Sequence, residues 1–229
     1  QPYKIAVLPF DPTQKILFVH IPKTGGTSIE QFFDLCHARN FWFDRWDRDC
    51  ESFVEKHRIM SSSPKLVYEP QHYPVEVLKE LISDYDDYFK FTFVRNPYTK
   101  LLSEFFWRNN KQYLSPADFD PQYFDFWCEE VLSDLNNSHK EPQIKFVDHT
   151  INFVGRFEHF KADFNILLRL IADKTNGLFR YQNRNLPLAN STGLSKTEII
   201  PRISKKTSQR IVEIYNQDFK AFHYDCHLQ

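Results

Sequence analysis

The sequence predicts an α/β fold in which a parallel sheet is flanked by helices on both faces. Short apolar runs rich in β-branched and aromatic residues alternate with longer segments in which apolar residues recur every three or four positions. This alternation is typical of βαβ units, whose helices cover both faces of the sheet. Polar, basic turns follow two of the runs, and sheets of this kind bind ligands beyond the carboxyl ends of their strands.

The same patterns give the order of the elements along the chain. Strands are predicted at residues 16–21, 65–68, 89–94 and 151–154. Helices are predicted at residues 26–38, 74–83, 97–109, 121–135, 158–173 and 204–220. Residues 39–64, 109–120 and 176–195 have no regular pattern. The last of these is polar and turn-rich, and we expect it to cover a bound ligand because long loops in compact domains are often lids.

Composition limits the classes of protein that this chain can be. A chain of 229 residues with 41% apolar residues is expected to form one domain over residues 1–229. Its formal net charge of −1 argues against a nucleic-acid partner. No apolar run reaches the roughly 20 residues of a membrane span, so no stable membrane insertion is expected. The four cysteines form no CxxC motif and indicate no zinc site, although whether they pair stays open.

The first motif is a glycine-containing turn between the strand at 16–21 and the helix that follows it. Glycines let a backbone approach an anion, a helix start offers unpaired N–H groups, and lysine and hydroxyl side chains add charge and donors. The turn therefore predicts a phosphate-binding site formed by Lys23, Thr24, Gly25, Gly26, Thr27 and Ser28. The alternative is a tight turn with hydroxyl helix caps and a surface lysine.

The second motif follows the strand at 89–94. Arg95 ends that strand, Pro97 suits the first position of a helix, and Ser103 lies about two helical turns further on. Arg95 and Ser103 could therefore face one anion. Taken alone, Arg95 is equally consistent with a structural ion pair. An arginine stands where a nucleotide-hydrolysing enzyme usually has a metal-binding aspartate, and no convincing aspartate-ended strand occurs elsewhere.

Together the two motifs resemble the sulfotransferases, in the branch that includes Golgi carbohydrate O-sulfotransferases and small bacterial members. HIPKTGGTS is similar to the 5′-phosphosulfate loop of that family, and FVRNPYTKLLSEF is similar to its 3′-phosphate motif. Weaker similarity continues through residues 153–164 and 214–225. The resemblance implies a P-loop nucleotide-kinase-like fold and transfer of a sulfuryl group from 3′-phosphoadenosine 5′-phosphosulfate (PAPS) to an acceptor hydroxyl, with the bisphosphate PAP as product.

The resemblance also implies roles for individual residues. Lys23 would contact the oxygen that bridges phosphate and sulfate, and Gly25, Gly26, Thr27 and Ser28 would hold the 5′-phosphate. Arg95 and Ser103 would hold the 3′-phosphate. Because a sulfuryl group carries less charge than a phosphoryl group, fixed donors and a lysine could stabilise its in-line transfer, and no metal is expected.

Transfer to a hydroxyl needs a base. His72 stands where carbohydrate sulfotransferases of this branch have a catalytic histidine, although Gln71 replaces the usual glycine. Glu69 is the reserve base. His20 precedes the first motif on a strand expected to be buried, so its predicted role is structural.

Other residues have weaker claims to a role. The tryptophans could line an acceptor pocket or simply pack in the core, and Arg108 could meet an anionic acceptor or be exposed. The residues concerned are Trp42, Trp46, Trp107 and Arg108. The resemblance implies nucleotide contacts near the late loop, from Asn190, Ser191 and Lys196.

Two other functions stay open on the sequence. One is an ATP- and magnesium-dependent P-loop kinase, which the lysine before the glycines disfavours because P-loops place it after them. The other is a catalytically silent nucleotide-binding protein. The acceptor is expected to be a carbohydrate on resemblance alone, and the oligomeric state stays open. We expect a cytoplasmic protein, or one of the Golgi lumen if an N-terminal anchor precedes this sequence.

Overall fold

The computed structural model describes residues 8–33, 64–109, 116–175, 185–187 and 196–227. Within these ranges a sheet of four strands has the spatial order β1-β2-β3-β4. The strands are β1 (Phe10–Asp11), β2 (Ile16–Val19), β3 (Phe89–Val94) and β4 (Phe153–Arg156). The β2–β3 and β3–β4 pairs are parallel, with Phe18 opposite Phe91 and Phe91 opposite Phe153.

Helices connect and cover the strands. Those of the described residues are α1 (Gly26–Phe33), α2 (Val75–Leu81), α3 (Pro97–Arg108), α4 (Pro121–Val131), α5 (Phe160–Lys174), α6 (Lys196–Ile199) and α7 (Lys205–Ala221). As the sequence predicts, Pro97 opens α3, and the Asn96 side chain caps it by accepting from the Tyr98 N–H at 3.0 Å. A membrane-spanning helix, which must be long and apolar, does not occur among these elements.

Both faces of the sheet are buried under helices. Alternate residues of β2 point in opposite directions, so Ile16 and Phe18 join one apolar cluster while Leu17 and Val19 join another. The first cluster includes α1 and α5, and the second includes α2. A third cluster is formed mainly by α3, α4, α6 and α7 beside the sheet. The predicted sheet with helices on both faces is therefore present.

The structure corrects the predicted elements in several places. Residues 65–68 are not a strand: Pro64–Val67 is a 3₁₀ helix, and a second one spans Pro70–His72. Prolines begin both turns, and a proline lacks the N–H that a sheet ladder needs. The sheet is not wholly parallel either, because β1 pairs with β2 in the antiparallel direction. The last strand begins at Phe153 rather than at residue 151.

Candidate active site

The turn between β2 and α1, residues 22–28, is called the phosphate loop below. Its backbone leaves the usual conformations at two positions, since φ is 68° at Lys23 and 92° at Gly25. The Thr24 hydroxyl donates to the carbonyl of Ile21 at 2.8 Å, and the Ser28 N–H donates to the carbonyl of Gly25 at 3.1 Å. These bonds hold the loop in a compact turn at the start of α1, where free N–H groups favour an anion.

Neighbouring rings require glycine at two loop positions. A Cβ on Gly26 would lie 1.9 Å from Nε2 of His20, and one on Gly25 would lie 2.9 Å from the ring of Phe160. His20 cannot easily move away, because its Nδ1 lies 2.6 Å from Oε1 of Glu30. The loop therefore packs directly on His20 on one side and on the aromatic start of α5 on the other.

Arg95 joins the phosphate loop to the end of β3. Its Nη1 donates to the carbonyl of Lys23 at 3.0 Å, and its Nε donates to the hydroxyl of Thr99 at 3.0 Å. The ring of Phe157 lies 3.9 Å from the guanidinium carbon. The two motifs that the sequence predicts as phosphate sites are thus in direct contact, although 72 residues separate them.

The backbone of Arg95 is fixed by a side chain that the sequence analysis did not single out. Gln143 accepts from the Arg95 N–H at 2.8 Å and donates to the Arg95 carbonyl at 2.7 Å. Asp218, fully buried on α7, in turn accepts from the backbone N–H groups of Gln143 and Ile144. This chain of bonds positions Arg95 from α7 through the 3₁₀ helix Gln143–Phe146.

The Lys23 side chain points into a partly closed space and is only 17% exposed. Its amine lies 4.6 Å from the centre of the Trp107 ring and 3.9 Å from Oε2 of Glu104. Burial lowers the pKa of Lys23 to about 8, since the raising effect of Glu104 is opposed by neighbouring cations. Half of Trp107 is exposed, so this ring forms part of the wall beside the lysine.

A third cation, Lys196 at the start of α6, belongs to the same electrostatic environment. Burial, followed by repulsion from Arg95 and Lys23, lowers the pKa of Lys196 to about 8. Burial also lowers the pKa of Arg95, to about 10, which leaves it charged at neutral pH. Two cations after strand ends, Lys23 and Arg95, therefore repel a third at the start of α6, which is the arrangement expected where an anion binds.

His72 is buried at the back of this region, with 1% of its surface exposed. Its Nδ1 donates to the carbonyl of His20 at 3.0 Å, which leaves Nε2 as an acceptor, 3.2 Å from the amide nitrogen of Gln71. Burial, together with the nearby rings of His20 and His139, lowers the pKa of His72 well below 6.5. His72 is therefore neutral at pH 7, with its basic nitrogen covered by Gln71.

His20 and Glu69 lie on either side of His72. The ring of His20 is 4.4 Å from that of His72. His20 is buried, as its strand position predicts, and this burial lowers its pKa to about 3. Glu69 accepts from the Ser138 hydroxyl at 2.9 Å. Burial opposes its ionisation, but its electrostatic coupling to the neighbouring His72 and nearby hydrogen bonds lower the pKa of Glu69.

Glu104 and His139 are site residues that the sequence analysis missed. Nδ1 of His139 lies 2.8 Å from Oε2 of Glu104, and its ring stacks on Trp107 at 5.6 Å and meets His72 at 5.4 Å. A signal for Glu104 was present, because it lies on the apolar side of the helix that contains Ser103. His139 had no such signal, since it lies in an irregular segment after α4.

Some of the residues predicted for the site lie together in the structure, and others lie outside the described residues. Lys23, Arg95 and Lys196 come together as described, and Arg108 pairs with Glu104. Thr27 and Ser103 are half-buried, on α1 and α3 respectively. Trp42, Trp46, Asn190 and Ser191 lie outside the described residues, as does the predicted covering loop apart from 185–187.

Comparison with known proteins identifies the family. No curated protein and no solved structure gives a significant match to this chain. The model of the Sulfotransferase family matches residues 8–225, which include the phosphate loop, β3 with Arg95, and the supporting residues up to α7. This match extends over nearly the whole sequence, and the chain therefore belongs to the sulfotransferase family.

Proposed function

We propose that this protein transfers a sulfuryl group from PAPS to the hydroxyl of an acceptor. The observation that carries the proposal is the contact of Arg95 Nη1 with the Lys23 carbonyl, which brings two cationic motifs to neighbouring strand ends. PAPS has a 5′-phosphosulfate and a separate 3′-phosphate, so it needs two adjacent anion sites. Family membership supports sulfuryl transfer, and the cluster of repelling cations supports a multiply charged donor.

The roles of individual residues are those that the family resemblance implies. Lys23, Thr24, Gly25, Gly26, Thr27 and Ser28 bind the 5′-phosphosulfate, and Arg95 and Ser103 bind the 3′-phosphate. The single domain of residues 1–229 has a P-loop nucleotide-kinase-like fold in this proposal. Its phosphate loop differs from that of a kinase because Lys23 precedes the glycines.

The reaction is an in-line displacement at sulfur. The acceptor oxygen forms a bond to sulfur while the bond from sulfur to the bridging phosphate oxygen breaks, and PAP leaves with the negative charge that develops. Lys23 stabilises that charge, so no step depends on a metal ion. His72 takes the proton of the acceptor hydroxyl through Nε2, after Gln71 has been displaced from that nitrogen. Glu69 is the reserve base.

We propose a carbohydrate as the acceptor class, on the family resemblance. The half-exposed Trp107 ring beside Lys23 supports this choice, because aromatic faces suit the apolar faces of sugar rings. A nucleic acid is not proposed, since the formal net charge is −1.

Calorimetric titration tests the donor. We expect PAP to bind without magnesium, and Arg95→Ala to weaken binding about 10- to 100-fold because a buried charged hydrogen-bonding group is lost. Arg169→Ala, which removes an exposed arginine from α5, is the matched control and should leave the affinity unchanged.

Binding of ATP that requires magnesium, together with no binding of PAP, would establish the kinase alternative instead. PAP binding without sulfuryl transfer to any pooled glycan, phenol or alcohol would indicate the silent nucleotide-binding protein.

A further inference from the structure

The carboxylate of Glu104 is buried among basic groups. It is 1% exposed, and its Oε2 lies 2.8 Å from Nδ1 of His139 and 3.9 Å from Nζ of Lys23. The other oxygen, Oε1, accepts from Nε of Arg108 one helical turn away. A carboxylate removed from water is costly unless it is paired. Here one carboxylate is shared by a lysine, an arginine and a histidine.

The titratable groups near Lys23 come from several elements. They are Glu104, Lys100 and Arg108 on α3, Arg95 after β3, Lys196 on α6, the uncharged His20 after β2, and His139 in the segment after α4. The carboxylate of Glu104 raises the pKa of Lys23, whereas the charges of Arg95, Lys100 and Arg108 lower it. The charge of Lys23 therefore depends on Glu104.

Building on the proposed function, we infer that Glu104 is a positioning residue for sulfuryl transfer: its buried carboxylate keeps Lys23 charged and holds the amine over the Trp107 ring beside the phosphate loop. The same carboxylate orients the ring of His139 through Nδ1. Glu104 does not contact the reacting atoms in this scheme. It acts through Lys23, which does contact the reacting atoms.

The ionisation of the groups agrees with this role. Burial opposes the charge of Glu104, but the hydrogen bond from His139 and the electrostatic effect of the neighbouring basic groups lower its pKa to about 2, so it stays ionised. Burial lowers the pKa of Lys23 to about 8 even with Glu104 present. Removal of the carboxylate must lower the pKa of Lys23 further. A neutral amine could neither hold the 5′-phosphate nor stabilise the leaving group.

The pH dependence of PAP binding tests the inference. Titrations from about pH 7 to about pH 10 should show that the affinity of the unchanged protein begins to fall near the pKa of Lys23. In Glu104→Gln the fall should begin about one pH unit lower, because the free lysine loses its proton earlier. Glu129→Gln is the matched control: it removes a carboxylate that pairs with Lys206 on the surface, and should not move the curve.

The same substitution in a Lys23→Arg variant tests whether the shift of the pH curve comes from Lys23. Burial also lowers the pKa of Lys100 to about 8, and Glu104 acts on it too, so the single variant does not separate the two lysines. An arginine stays charged well above the pH at which a buried lysine loses its proton. Glu104→Gln should therefore move the curve much less in a Lys23→Arg background. An equal shift in both backgrounds would overturn the inference.

The remaining outcomes are distinct from one another. Absence of PAP binding by the unchanged protein overturns the proposed function, and the inference with it. PAP binding whose pH dependence is the same in Glu104→Gln overturns the inference and leaves the proposed function intact. If circular dichroism shows that Glu104→Gln does not fold, Glu104→Asp replaces it. That variant withdraws the carboxylate by one methylene and should move the curve in the same direction by less, and an unmoved curve overturns the inference.

Discussion

Arg95 illustrates how individual contacts prepare a side chain for an anion before the ligand arrives. Its Nε and Nη1 are each held at 3.0 Å by neighbouring oxygens, and Phe157 covers the guanidinium. Gln143 fixes the backbone of the same residue on both its N–H and its carbonyl. Because the guanidinium group is already oriented, little side-chain entropy is lost when it binds a phosphate.

His72 carries a separate prediction about the chemical step. We expect His72→Ala to keep PAP affinity within about twofold and to reduce sulfuryl transfer about 10²- to 10⁴-fold, because the variant loses the base but not the donor site. Transfer of labelled sulfate from PAPS to the acceptor, compared with calorimetric PAP binding, separates the two effects. His149→Ala, which removes an exposed histidine, is the control. Retained turnover in His72→Ala would leave Glu69 as the base.

Single residues could be predicted from the sequence where their chemistry lies within one continuous motif. Lys23 and Arg95 were identified because each follows an apolar run at a strand end. His139 was not, because its contact with Glu104 joins positions 35 residues apart and neither segment encodes the other. Gln143 was missed for the same reason, since its partners Arg95 and Asp218 lie 48 and 75 residues away.

The unit formed by β2, the phosphate loop and α1 depends on close packing of its own elements. His20 directly follows β2, and Glu30 lies on α1. Across the loop, Nδ1 of His20 lies 2.6 Å from Oε1 of Glu30. Burial lowers the pKa of His20 to about 3 and raises that of Glu30 well above 4.5. The pair is therefore uncharged as a whole and holds one proton between its two groups. It fixes the space in which Gly26 lies.

Gly26→Ala tests this packing. The added Cβ would meet Nε2 of His20 at 1.9 Å, so we expect the free energy of unfolding to fall by about 1–3 kcal/mol, which thermal or denaturant unfolding measures. In a His20→Ala background the ring is absent, and the cost of Gly26→Ala should drop well below that value. Purely additive effects of the two substitutions would show that His20 does not set the requirement for glycine.

The elements that the sequence predicts correctly are those with strong apolar patterns. The central strands β2 and β3 are buried on both faces; β2 is a continuous apolar run, and β3 is apolar except for Lys90 and Thr92. β1 was missed because it has only two residues, Phe10 and Asp11, which is too short for any pattern. The run at 65–68 looked like a strand, but the prolines at 64 and 70 favour turns, and the N–H of Tyr68 bonds locally to Lys65.

Across the whole molecule, the anion site is a local concentration of positive charge in a nearly neutral protein. The formal net charge is −1, yet Lys23, Arg95 and Lys196 lie together, and each has a pKa lowered mainly by burial. The apolar clusters on the two faces of the sheet hold the strand ends that supply the first two of these cations. The folded state therefore maintains a repulsion that a bound anion would relieve.

Binding of PAP should consequently stabilise the whole fold. A ligand that binds only the folded state at about 100 times its dissociation constant adds about 2.7 kcal/mol. For a domain of this size that corresponds to a melting temperature about 5–10 °C higher, which differential scanning calorimetry measures. The increase should shrink in Arg95→Ala and with added salt, since charge pairing supplies the affinity. Adenosine, which has no phosphate, is the control, and an equal increase with adenosine would contradict a site built around two phosphate groups.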